Sequence, residues 1–170
     1  MTQQDLIIKW SHYAAAALLV FFLERCIFAR LPVLGVIPML IPLAVVMTAA
    51  FEGSAAGAVF GMAAGAVCVI CIPRTSLWVV LAFAAIGLLC GITTQYAISR
   101  SLGGCLFCSA ATLLLMDGAR VLYWLLFRDA SPLPLLKVAG PEILYSLALA
   151  VPIYLLFSRV YQKVGGTRLM

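Results

Sequence analysis

Charge is the scarcest property of this sequence. Of 170 residues, 11 are Lys or Arg, 6 are Asp or Glu, and one is His. Charged residues make up 10% of the chain and hydrophobic ones 65%, whereas soluble domains are about half apolar and a quarter charged. The mean hydropathy is +1.16. A fold in water could not cover this much apolar surface, so a lipid solvent is the simplest explanation. Chemistry-bearing patterns are scarce as well. No nucleophile, base and orienting acid fall into a recognisable arrangement. No glycine-rich phosphate loop follows a strand, and no loop carries a compact set of His, Asp or Cys ligands. These absences argue against an enzyme, a bound cofactor or a metal. The net charge of +5 is ordinary for a membrane protein and gives no reason to invoke nucleic acid.

What is present reads as an all-α integral membrane protein of about six helices. Six spans of ~20 residues nearly exhaust the length, leaving one transmembrane domain over 1–170 with short loops. The expected spans are roughly 10–28, 33–51, 54–72, 76–98, 105–127 and 141–161. The first follows Lys9 and contains Ala14 to Ala17, but its apolar run continues past these small residues. It therefore reads as a retained helix rather than a cleaved signal. Pro38 and Pro42 should kink or loosen the second span. Pro73 and Arg74 close the third, and Arg100 follows the fourth. The sixth opens at Pro141 and should kink at Pro152. Between the last two spans, Arg128 to Gly140 is the one substantial loop, which Pro132 and Pro134 should keep extended.

Six spans place both termini on one side. Lys9, Arg100, Arg159, Lys163 and Arg168 fall there, and Arg25, Arg30, Arg74, Arg128 and Lys137 fall opposite. The count is tied, and the basic cluster at the C-terminal end tips the expectation toward cytoplasmic termini.

The most informative local pattern is in the third span. Gly53, Gly57, Gly61 and Gly65 recur four apart, which keeps them on one slowly drifting helical stripe. A face without side chains lets another backbone approach closely, and in lipid such packing replaces the missing hydrophobic drive. The stripe is a helix-packing seam, facing either another helix of this chain or a partner protein.

Intramembrane charge is the second signal. Asp117 and Arg120, three apart in the fifth span, can meet on one face. Ionised groups in a bilayer are costly and tend to be paired or to face a cavity, so the pair either fixes the helix's rotation or lines a polar contact. Glu24, Glu52 and Glu142 lie near expected helix ends, where snorkelling or exposure is anticipated. Glu52 and Glu142 also fall beside expected helix starts, where a carboxylate complements the dipole. His12 reads as an interfacial side chain. Cys68-x-x-Cys71 and Cys105-x-x-Cys108 look like half of a zinc pattern. The intervening fourth span puts the two pairs toward opposite faces, too far apart for one metal, so small buried apolar residues are the expected role.

Two segments carry a family resemblance. One is Phe51-Glu52-Gly53 followed by Gly57, Gly61 and Gly65. The other runs from Leu135-Leu136-Lys137 through Pro141-Glu142 and Tyr145 to Pro152-Ile153-Tyr154 and the basic end Arg159 to Lys163. Together they resemble the bacterial rod shape-determining MreD family, over almost the whole chain. The chain departs from that family's pattern at Cys71-Ile72-Pro73-Arg74, where an acid often ends the third helix, and at Ser146, where an amide is common. The resemblance implies a multi-pass protein of the bacterial cytoplasmic membrane, within the cell-wall elongation machinery. It implies a bitopic MreC-like partner and, through it, an MreB-like filament and the peptidoglycan synthases. No catalysis of its own is implied, and the fold should resemble the substrate-binding S components of energy-coupling-factor vitamin transporters. That kinship supplies a second reading, a vitamin-importer subunit, which would need a pocket of convergent polar groups. Thr93, Thr94, Gln95, Asp117 and Arg120 are the main polar residues between helices, and they are few for a vitamin. A channel is a more distant reading, because no charged ring or filter sequence occurs.

Overall fold

The computed structural model describes residues 3–30, 35–72, 75–96, 101–128 and 132–165. Within them the chain is all-helical, with no strand. The helices are α1 (Gln3–Phe22), α2 (Ile41–Glu52), α3 (Ser54–Cys71), α4 (Trp78–Tyr96), α5 (Leu102–Arg128) and α6 (Pro132–Gly165); α1 continues into a π-helical turn, Leu23–Phe28. Among the described residues five helical stretches are long and apolar enough to cross a membrane: Ile7–Phe28, Ser54–Cys71, Trp78–Tyr96, Leu102–Leu126 and Val138–Val164. We therefore read the chain as a multi-pass membrane protein.

The second expected span differs from the other five. Among its described residues the helix begins at Ile41, and α2 has 12 residues, about 18 Å at 1.5 Å per residue. Before it, Gly35 turns with φ +78° and 36–40 are irregular. Pro38 and Pro42 bracket the change. Pro42 sits in the first turn of α2, where a missing N–H costs nothing, while Pro38 cannot donate to any preceding turn. Every residue of α2 from Ile41 to Phe51 is buried. A helix that is apolar all round belongs in a core, and α2 packs on α1, α3, α4, α5 and α6. The bundle is wound around it.

The expected extended loop before the last span is corrected by α6, which starts at Pro132 and includes 132–140. Pro132 and Pro134 lie in its first turn, where the first four N–H groups have no intrahelical partner, so the prolines open a helix instead of preventing one. Pro141 is consequently inside α6, as is Pro152, and Glu142 is well past the helix start where it was expected. Pro73, Arg74, Arg100 and Arg168 lie outside the described residues, as do the side chains of Arg128 and Lys137, so the charge count on the two sides is left where the sequence put it.

Candidate functional site

The glycine stripe meets α4. A Cβ on Gly57 would stand 2.5 Å from the Ala49 Cβ and 2.7 Å from the Gly87 carbonyl oxygen, and one on Gly65 would stand 2.6 Å from the Val80 Cα. At Gly61 it would run into the Phe83 carbonyl. Apart from the Ala49 Cβ, which belongs to α2, these contacts are with backbone, which cannot swing away. On the facing helix, Gly87 lies against the Gly57 carbonyl and Gly91 against Ser54. The seam is thus internal and two-sided. Gly87 and Gly91 escaped the sequence reading, although their spacing of four was the available signal. Gly53 has a different role. Its φ of +97° makes the one-residue turn from α2 to α3, a conformation that a side chain at this position would resist.

Buried carboxylates make a second set of ties between helices. Glu24 was expected to be exposed or snorkelling, but it is the buried residue of the π-turn. Its Oε2 accepts the Leu40 N–H at 2.8 Å and the Ile41 N–H at 3.0 Å. The carboxylate therefore sits at the N-terminus of α2, where unpaired donors and the positive dipole end favour an anion. One residue earlier, the Met39 N–H donates to Ser146 Oγ at 2.9 Å. Irregular backbone at membrane depth persists only where protein satisfies it, and Glu24 and Ser146 do so here.

Asp117 and Arg120 are brought together, with Arg120 Nη2 2.8 Å from Asp117 Oδ1. Arg120 also pairs with Glu142 of α6, a partner the sequence reading missed because it set Glu142 at a helix end. Asp117 and Glu142 are buried, while the Arg120 side chain is 39% exposed. The Asp117 contact is an ion pair by distance but lacks hydrogen-bond geometry, and neither of its oxygens accepts a hydrogen bond.

A separate ion pair joins α1 to the α2–α3 junction. Lys9 pairs with Glu52, and the Tyr13 hydroxyl donates to Glu52 Oε1 at 2.9 Å. Beside them Phe51 stacks on Tyr161 with ring centroids 5.3 Å apart. Glu52 thus ties α1 to the junction of α2 and α3. Tyr145 meets Phe28 edge-on at 5.9 Å, and Pro141 is half-buried one residue before Glu142.

Thr112 of α5 meets Cys90 Sγ of α4 at 3.5 Å, while other hydroxyls bond their own helices. Thr48, Thr93, Thr94 and Ser109 each donate to the carbonyl four residues back, at 2.7–2.9 Å. The His12 Nδ1 lies 2.8 Å from the Ile8 carbonyl oxygen, and Gln95 is exposed except where it approaches Gly53. Cys68, Cys90, Cys105 and Cys108 are buried and all the cysteines are free. Cys90 and Cys108 share a small cluster with Val46 and Ala49. Among the described residues no three His, Cys, Asp or Glu side chains form a metal-holding group. A cavity of about 420 Å³ between α1, α2 and α3 is lined by apolar side chains such as Phe21, Ile41, Phe60 and Val67.

No family model, curated protein or solved structure matches the chain.

Proposed function

We propose that this chain is an MreD-like, non-enzymatic component of the bacterial cell-wall elongation machinery, which acts by binding an MreC-like single-span partner. Through that partner it associates with an MreB-like filament and the peptidoglycan synthases. In this reading it resides in the bacterial cytoplasmic membrane, with cytoplasmic termini and an S-component-like bundle. The supporting observation is where the intramembrane polar groups go. Lys9, Glu24, Glu52, Arg120, Glu142 and Ser146 bond elements of this chain to one another, and the hydroxyls of Thr48, Thr93, Thr94 and Ser109 bond their own helices. Such groups stiffen a scaffold and leave outward helix faces for protein contact. Glu52 and Glu142, two positions of the resemblance, both act as internal ties.

A substrate-binding subunit of a vitamin importer is the second reading. Its supporting observation is the cavity of about 420 Å³, within the ~300–1,000 Å³ typical of ligand sites. Those sites also place a few polar groups to orient the ligand, and Trp10 supplies the one polar group of this lining. Depletion of the chain in a rod-shaped bacterium that carries it tests the first reading. Rounding of the cells, reversed by re-expression, is the expected result. Unchanged shape together with loss of vitamin uptake would replace it with the second.

A further inference from the structure

Asp117 is the buried polar side chain that the ties between helices leave over. It lies within the apolar stretch Leu102–Leu126, it is 2% exposed, and neither of its oxygens accepts a hydrogen bond among the described residues. The cation beside it is already matched. Arg120 donates through Nη1 and Nη2 to the two oxygens of Glu142, and the same Nη2 stands 2.8 Å from Asp117 Oδ1. One guanidinium thus faces two buried carboxylates, and its fork belongs to Glu142.

Among the described side chains, the surroundings leave one negative charge over. On the π-turn, Glu24 lies within electrostatic reach of Glu142, and Arg25 beside it offsets its charge. On α6, Tyr145 meets Phe28, and the side chain of Lys137 lies outside the described residues. Of the other helices packed on α5, α4 has no charged residue and its Cys90 meets Thr112. The one charge of α2, Glu52, is paired with Lys9. A buried carboxylate without a cation of its own neutralises, and two acids held at one point share a proton rather than ionise together. The ligand has to be small, because both Asp117 oxygens are sealed from the surface. Among the described residues no three His, Cys, Asp or Glu side chains form a metal-holding group there. Carboxylates inside spans are the usual stations for protons. We propose that Asp117 is a proton-binding site, carrying one proton as the neutral acid while Glu142 stays ionised on Arg120. The proton leaves Arg120 to tie α5 to α6. Without it, Asp117 and Glu142 compete for one nitrogen, and Arg120 is drawn into a pair within its own helix.

Infrared spectroscopy of the full chain in phosphatidylcholine vesicles at neutral pH reads this proton directly. The carboxyl stretch of a neutral acid should be present, and isotopic labelling of the aspartate side-chain carboxyls with heavy carbon should shift it. The label reaches Asp5, Asp117 and Asp129, and Asp117→Asn should remove the shifted band. Glu142→Gln should remove it as well, because Arg120 then pairs with an ionised Asp117. The thermal midpoint of Asp117→Asn should match that of the parent, since the amide is as neutral as the acid it replaces. Absence of the band from the parent, or a band that the label leaves unshifted, would overturn the proposal without any variant. So would a shifted band that survives either substitution. A fall in midpoint for Asp117→Asn as large as that for Arg120→Leu would also overturn it, by making Asp117 the ionised partner.

Discussion

The α3–α4 seam and the polar ties among α1, α2, α5 and α6 hold helices together in opposite ways. In the seam there is almost nothing to bond. Gly57, Gly61 and Gly65 face Gly87, Phe83 and Val80 with backbone against backbone, and the gain is close packing. In the polar ties the helices are held by charge, with Glu24 on the α2 N-terminus, Arg120 on Glu142 and Lys9 on Glu52. Lipid gives no hydrophobic drive between helices, so both are substitutes for it. They fail differently. A seam fails by added volume, a polar tie by a missing partner.

The largest effect should come from volume in the seam. Gly61→Leu drives a side chain into the Phe83 carbonyl, and we expect loss of the monodisperse protein in detergent. Gly61→Ala should cost about 1–3 kcal/mol, as overpacking does, read as a lower thermal midpoint. A fully stable Gly61→Leu variant would show that α3 and α4 do not meet at this position.

Next is the capping carboxylate. Glu24→Leu leaves the Leu40 and Ile41 N–H groups without their acceptor. Each unsatisfied group at membrane depth costs several kcal/mol, so the variant should be severely destabilised. Glu24→Gln keeps an acceptor oxygen and should retain most of the stability. Equal damage from the two would mean that the negative charge, not the hydrogen bonds, is what α2 needs. Arg120→Leu leaves Asp117 and Glu142 buried without a cation. Breaking a buried pair costs about 3–5 kcal/mol, and the partial exposure of Arg120 should put this variant at or below that range. The smallest change is Tyr13→Phe, which removes one hydrogen bond to Glu52 and should cost about 0.5–1.5 kcal/mol.

The two also differ in how far the sequence discloses them. The seam repeats with a period of four, so Gly53 to Gly65 announce a close-packed face within one segment. The facing glycines of α4 follow the same rule with two members, too few to stand out alone. The polar ties have no period. Met39 and Ser146 are 107 residues apart and Leu40 and Glu24 are 16 apart, and only folding brings them together. Asp117 with Arg120 was legible because both lie in one helix, whereas Glu142 was not, because its helix was started nine residues late. That error came from treating Pro132 and Pro134 as helix breakers when the first turn tolerates them. The shortened α2 has a similar origin. Apolar composition marked 33–51 as one span, while Pro38 and the donors of 39–41 required an irregular entry held by other helices.

Both kinds of contact bind the chain to itself, and that is the basis for reading its outward faces as partner surfaces. Affinity purification of the tagged full chain from native membranes tests this most directly. The account predicts a stoichiometric MreC-like single-span protein in the eluate, with no saturable binding of water-soluble vitamins by calorimetry. A chain that elutes without such a partner and titrates a vitamin to saturation would contradict it.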